Sequence, residues 1–113
     1  MSNLMVEARS GLCNDLIAKI AAEEGIPEDK LFRLVGSGKV VIVRNLKRSN
    51  VHPIGIGEGL RTKINANVGT SSEVIDYNLE VEKALIAQKY GADTIMDLST
   101  GGDLDYIRRE IIK

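Results

Sequence analysis

Apolar residues recur at helical spacing twice before residue 40. Over residues 14–24, Leu16, Ile17, Ile20 and Ala21 share one face, Asn14 precedes them as a candidate N-cap, and Gly25 follows as a stop. Ile26-Pro27-Glu28-Asp29 then places proline and acids in a first turn ahead of Leu31, Phe32 and Val35. Gly36-Ser37-Gly38 ends this second short helix. Residues 39–45 (KVVIVRN) form a β-branched run and predict a strand. Residues 46–59 lose all periodicity, and Ser49-Asn50, Pro53, Gly55, Gly57 and Gly59 predict a loop. That loop divides an N-terminal piece, residues 1–59, from a second segment, residues 60–113.

The second segment repeats one unit. A strand over residues 61–66 leads through a loop at 67–72 to a helix over 73–90. A strand over 94–98 then leads through a loop at 99–102 to a helix over 103–112. This β-α-β-α order is the signature of a parallel sheet, so the fold class is α/β. In the long helix Val74, Tyr77, Val81, Ala84 and Leu85 predict the buried face and Asp76, Glu80 and Lys83 a polar one, with Ser71 or Ser72 as cap and Gly91 as stop. Two β-α units can neither close nor cover a sheet. Ile111-Ile112-Lys113 falls where a third strand is due, so the unit is expected to be incomplete.

Composition narrows the function classes. Fifteen basic and 16 acidic residues nearly cancel, which leaves no field to draw nucleic acid or an anionic membrane surface. No signal peptide and no apolar run of spanning length occurs, and a cytoplasmic location is expected. Cys13 is the single cysteine, so it has no internal disulfide partner and cannot alone hold zinc or an iron-sulfur cluster. His52, the one histidine, lies beside Pro53 in a loop, where a solvated side chain is expected. The Gly55, Gly57, Gly59 series precedes a strand instead of opening a helix, so it is no dinucleotide fingerprint. No Ser-His-Asp, HExxH or Walker pattern occurs.

Ligands of parallel α/β folds bind at the carboxyl ends of strands. The residues there are Asn65, Asn67, Gly69, Thr70 and Ser71 after one strand, and Met96, Asp97, Ser99, Thr100, Gly101 and Gly102 after the other. The Asn67 carboxamide can serve a heterocycle or a ribose hydroxyl, or it can satisfy loop backbone. Met96 can pack on a flat ring or fill a core. Alternation sets Asp97 on the face opposite Met96 unless the strand bends. Thr100-Gly101-Gly102-Asp103 can cradle a phosphate at a helix start or make an ordinary turn and cap.

RTKINANVGTSS and EVEKALIAQKYGADTIMDLSTGGDLDYIRREII together resemble the start of the catalytic barrel of the phosphomethylpyrimidine synthase family, the radical enzymes of thiamine pyrimidine formation. KINANVG and GADTIMDLSTGG stand at the family's separation with Glu80-Val81-Glu82-Lys83 between them. A looser similarity covers Ala8-Arg9-Ser10-Gly11 and Gly38-Lys39-Val40-Val41-Ile42. Leu12-Cys13-Asn14 and Val43 depart from the family pattern, which has isoleucine-threonine and proline there. The resemblance implies that residues 60–113 are the first two β-α units of a (β/α)8 barrel. It also implies that Asn67 and Met96 bind the substrate, 5-aminoimidazole ribotide, as orienting groups and not as acids or bases. No such role carries over to residues 100–102.

In that family a 4Fe-4S cluster and S-adenosylmethionine initiate a radical rearrangement to hydroxymethylpyrimidine phosphate, a lyase reaction that releases formate and carbon monoxide. Its cluster cysteines (C-x2-C-x4-C) and zinc histidines have no counterpart in this chain, so this stretch alone is expected to be inactive. The complete enzyme is expected to be a homodimer. Two alternatives stand beside this one: the paralogue that makes 5-hydroxybenzimidazole from the same ribotide, and a non-catalytic binding or assembly module whose open sheet edge needs a partner.

Overall fold

A computed structural model describes residues 3–12 and 14–113, and Cys13 lies outside the described residues. The chain is a small α/β protein that divides into two compact units, Met1–Thr62 and Lys63–Lys113.

In the first unit a short helix, α1 (Leu4–Arg9), precedes α2 (Asp15–Glu24) and α3 (Glu28–Gly36). The apolar pattern did not announce α1. Its cap is local: Asn3 Oδ1 accepts the Val6 N–H at 2.9 Å. Asn14 caps α2 by accepting the Leu16 N–H, and Gly25 closes it in the left-handed conformation, as expected from residue type. Ile17, Ile20 and Leu31 are fully buried, and Ala8, Ala21, Val35 and Val40 join them in one core.

The predicted strand appears as β1 (Val40–Val43). Residues 46–59 are not loop throughout, because β2 (Ile54–Gly57) pairs antiparallel with β1, Val40 opposite Gly57 and Val43 opposite Ile54. The glycines that disguised this strand serve packing. A Cβ on Gly55 would sit 2.8 Å from Leu60 Cδ1 and 3.0 Å from Ile20 Cγ2. His52 is half exposed, and its Nε2 lies 2.9 Å from Glu23 Oε2.

The second unit contains β3 (Asn65–Val68), α4 (Tyr77–Lys89), β4 (Thr94–Asp97) and α5 (Leu104–Ile111), with β3 and β4 parallel. Compared with the expected span of 61–66, β3 starts later. The ladder begins only where β4 begins: the Asp93 and Thr94 N–H groups both donate to the Ile64 carbonyl, and Asn65 is the first residue opposite β4. The helix expected over 73–90 also starts later, because Asp76 is its cap, accepting the Leu79 N–H at 3.0 Å. Ser71 Oγ instead closes a turn with the Val74 N–H.

The buried stripe of α4 also differs from the expected one. Val74 and Leu85 are exposed, whereas Glu80 and Ala84 are buried and Tyr77, Val81 and Ala87 partly so. Val68 and Ile107 complete the apolar interior. Among the described residues, no helix is long and apolar enough to cross a membrane.

Candidate functional site

β3 and β4 bring the two sequence-derived candidates together. Asn67 and Met96 are direct partners in the parallel register, as are Asn65 and Thr94 two residues earlier. Side chains of partnered residues share a sheet face, and alternation puts all four on the same one. Asn65, Asn67 and Met96 are exposed there. The other face carries Val68 and Asp97 and is covered by helices: Val68 is buried and Asp97 pairs with Arg108 of α5. The strand does not bend at Met96, since that side chain is 49% exposed while the Asp97 side chain is 12% exposed.

A hydrogen-bonded series runs across the open face. Thr94 Oγ1 donates to Asn65 Oδ1 at 2.7 Å, and Asn65 Nδ2 donates to Asn67 Oδ1 at 2.9 Å. Its oxygen is engaged by Asn65, and Asn67 keeps its amide N–H groups on the exposed face that also carries its register partner Met96. A ligand meeting this face finds a donor next to a polarizable apolar surface, a pairing that suits a flat heterocycle with acceptor atoms.

Behind this face lies a set of polar groups: Thr70, Asp97 and Ser99 from the strand ends, with Asp97 opposite Met96 as alternation predicts, and Glu80, expected on a polar helix face but buried. Glu80 is buried on α4; its Oε2 accepts the Gly69 N–H at 2.7 Å and its Oε1 pairs with Lys83 Nζ at 2.7 Å. Asp97 Oδ1 accepts both the N–H and the hydroxyl of Ser99, and Oδ2 lies 2.9 Å from Arg108 Nε. Ser99 Oγ in turn accepts the Thr70 N–H at 3.1 Å. Burial opposes ionisation of Asp97, but the Ser99 hydroxyl and N–H and the Arg108 guanidinium outweigh it and hold the carboxyl below the ordinary carboxylate range. One signal for Glu80 was present in the sequence, an acid placed among Tyr77, Val81, Ala84 and Ala87 at helical spacing.

Residues 100–103 form a turn and a cap. The Thr100 N–H donates to the Thr70 carbonyl, the Asp103 N–H to the Tyr77 hydroxyl, and Thr70 Oγ1 to the Gly101 carbonyl. Asp103 caps α5 through the Tyr106 N–H, placing a carboxylate at the helix mouth. Gly101 is required by close approach, since a Cβ there would fall 2.1 Å from the Ser71 carbonyl oxygen.

Elsewhere, the first unit has a cavity of about 600 Å³ lined by Ala8, Arg9, Phe32, Arg33 and Gly36. Its cations are engaged, Arg9 Nε with the Gly36 carbonyl and Arg33 with Asp29. Among the described residues, no group of three or more His, Cys, Asp or Glu side chains could hold a metal ion.

The sequence matches the model of the Radical SAM ThiC family over residues 3–113. It is 59% identical over 111 residues to a phosphomethylpyrimidine synthase of Methanopyrus kandleri, covering 97% of this chain and 26% of that protein. It is 54% identical over 109 residues to the phosphomethylpyrimidine synthase of Pyrococcus abyssi, covering 96% of this chain and 25% of that one. A 5-hydroxybenzimidazole synthase of Geobacter sulfurreducens is 50% identical over 112 residues, 99% of this chain and 26% of the relative. The chain spans about a quarter of the length of the curated relatives it matches. With two strand-end motifs on one sheet face and a family match across nearly every residue, the chain belongs to the Radical SAM ThiC family.

Proposed function

We propose that this chain supplies part of the substrate seat of a phosphomethylpyrimidine synthase, with Asn67 and Met96 orienting 5-aminoimidazole ribotide. The observation that carries this reading is the register of β3 and β4, which sets the Asn67 carboxamide beside the Met96 thioether on the exposed sheet face. Asn67 donates to an acceptor of the ligand, and Met96 packs against its imidazole ring. Neither side chain is an acid or base at neutral pH, so their work is orientation.

On this reading β3-α4-β4-α5 are the first two β-α units of a (β/α)8 barrel, whose ligand site lies at the carboxyl ends of its strands. The complete enzyme is a cytoplasmic homodimeric lyase of thiamine biosynthesis. Its S-adenosylmethionine, 4Fe-4S cluster and zinc are held by residues other than those described here. The 113 residues alone are inactive.

The relative named 5-hydroxybenzimidazole synthase, at 50% identity, supports a second reading in which the same seat serves that product. Product analysis separates the two. The complete protein carrying this chain, supplied with the ribotide, S-adenosylmethionine and reductant, is expected to form hydroxymethylpyrimidine phosphate. Formation of 5-hydroxybenzimidazole instead overturns the thiamine assignment.

A further inference from the structure

Glu80 occupies a position on α4 that an apolar residue would fill at lower cost. Its side chain is only 4% exposed, and a buried carboxylate is costly unless it is paired and fully hydrogen-bonded. Both conditions hold, through Lys83 and the Gly69 N–H. Gly69 stands two residues beyond Asn67, where the exit of β3 presses on the exit of β4. A Cβ on Gly69 would fall 2.6 Å from the Ser99 nitrogen. Asp97 does the corresponding work on the neighbouring strand. It directly follows Met96, is ion-paired with Arg108, and grips Ser99, whose hydroxyl accepts the Thr70 N–H.

Each strand end is thus held from the helix-covered face by one ion-paired carboxylate, and the Thr70–Ser99 bond ties the two ends together. From this geometry we infer that Glu80 and Asp97 are positioning residues that fix Asn67 and Met96 side by side for the ligand. The inference rests on the reading of Asn67 and Met96 as the substrate seat. Neither carboxylate touches the exposed face, so their effect on binding passes through Gly69, Ser99 and Thr70. A displacement of about 1 Å in an orienting group is enough to cost up to about a hundredfold in rate.

The test uses the complete protein and measures KM for 5-aminoimidazole ribotide, kcat and melting temperature for Glu80→Ala, Glu80→Gln, Asn67→Ala and the Glu80→Ala/Asn67→Ala pair. Glu80→Ala is expected to raise KM about tenfold, comparable to Asn67→Ala. Glu80→Gln keeps an acceptor for the Gly69 N–H and is expected to stay within about threefold of wild type. The double variant is expected to lose less than the product of the single losses, because the clamp acts through Asn67. A Glu80→Ala protein with a lowered melting temperature but wild-type KM per folded site, alongside an impaired Asn67→Ala protein, overturns the clamp and leaves the seat standing. An Asn67→Ala protein with wild-type KM overturns the seat and the clamp with it. If Glu80→Ala does not fold, Ser99→Ala carries the test, since it cuts the Thr70 tether and spares the Asp97–Arg108 pair. A raised KM supports the clamp and an unchanged KM overturns it.

Discussion

Asn65 donates its amide to Asn67 Oδ1 at 2.9 Å, which leaves the Asn67 amide N–H groups as the donors this side chain offers a ligand. Asn65 Oδ1 is in turn engaged by the Thr94 hydroxyl, which donates to it at 2.7 Å. Thr94→Val keeps the shape of the side chain and removes that donor. With a net hydrogen-bond contribution of about 1 kcal/mol, the ribotide affinity of the complete protein is expected to fall about fivefold. Isothermal titration checks it, and the melting temperature is expected to move little.

Within the first unit the close approach of β1 and β2 predicts an order of two substitutions. At Gly55 the nearest obstacle is the Leu60 Cδ1 methyl at 2.8 Å, a side-chain end that can move. At Gly57 the obstacle is the Lys39 carbonyl oxygen at 2.2 Å, and φ is +146°. Gly57→Ala is therefore expected to destabilise the chain more than Gly55→Ala, by about 2–3 kcal/mol against about 1 kcal/mol. Urea midpoints of the two variants measure the difference.

Ile20 and Leu31 lie at the centre of the same core, at 1% and 0% exposure. Truncating either to alanine is expected to cost about 2–5 kcal/mol. Since the second unit has its own interior at Val68, Ala84 and Ile107, amide exchange is expected to accelerate chiefly within residues 3–62. Exchange mapped by mass spectrometry tests this.

Asp97 gives the second unit an acid-sensitive element. Its folded pKa lies below the ordinary aspartate value of about 3.9, so the unfolded chain binds the proton more tightly. The stabilisation it provides is complete above that ordinary value and is lost as pH falls through the lower, folded pKa. Asp97→Asn is expected to lower stability at pH 7 and to flatten its decline as pH falls below the ordinary aspartate value. Chemical denaturation at several pH values reads this directly.

Local signals in the sequence located what local chemistry builds. Asn14 and Gly25 bracket α2 because capping depends on neighbours two to four residues away. β2 escaped because glycine at 55 and 57 is a turn signal locally, while its strand character comes from pairing with β1 about 15 residues earlier. Ser71 makes a cap-like bond to the Val74 N–H, but α4 starts only at Tyr77, where Asp76 makes the same kind of bond to Leu79.

For the candidate site, strand ends offered eleven residues, and the family resemblance singled out Asn67 and Met96 among them. Their alignment as register partners depends on where Ile64 accepts from Asp93 and Thr94. Helical spacing groups Glu80 with Asp76 and Lys83 on a polar face. Its burial follows from the Gly69 N–H, a partner 11 residues away that only the fold brings into reach.

The seat itself is tested most directly by the equilibrium affinity of the complete protein for 5-aminoimidazole ribotide, with Asn67→Ala and Met96→Ala measured beside wild type. Loss of the Asn67 donor is expected to weaken binding about tenfold, and loss of the Met96 thioether by a similar factor. Wild-type affinity in both variants contradicts the account.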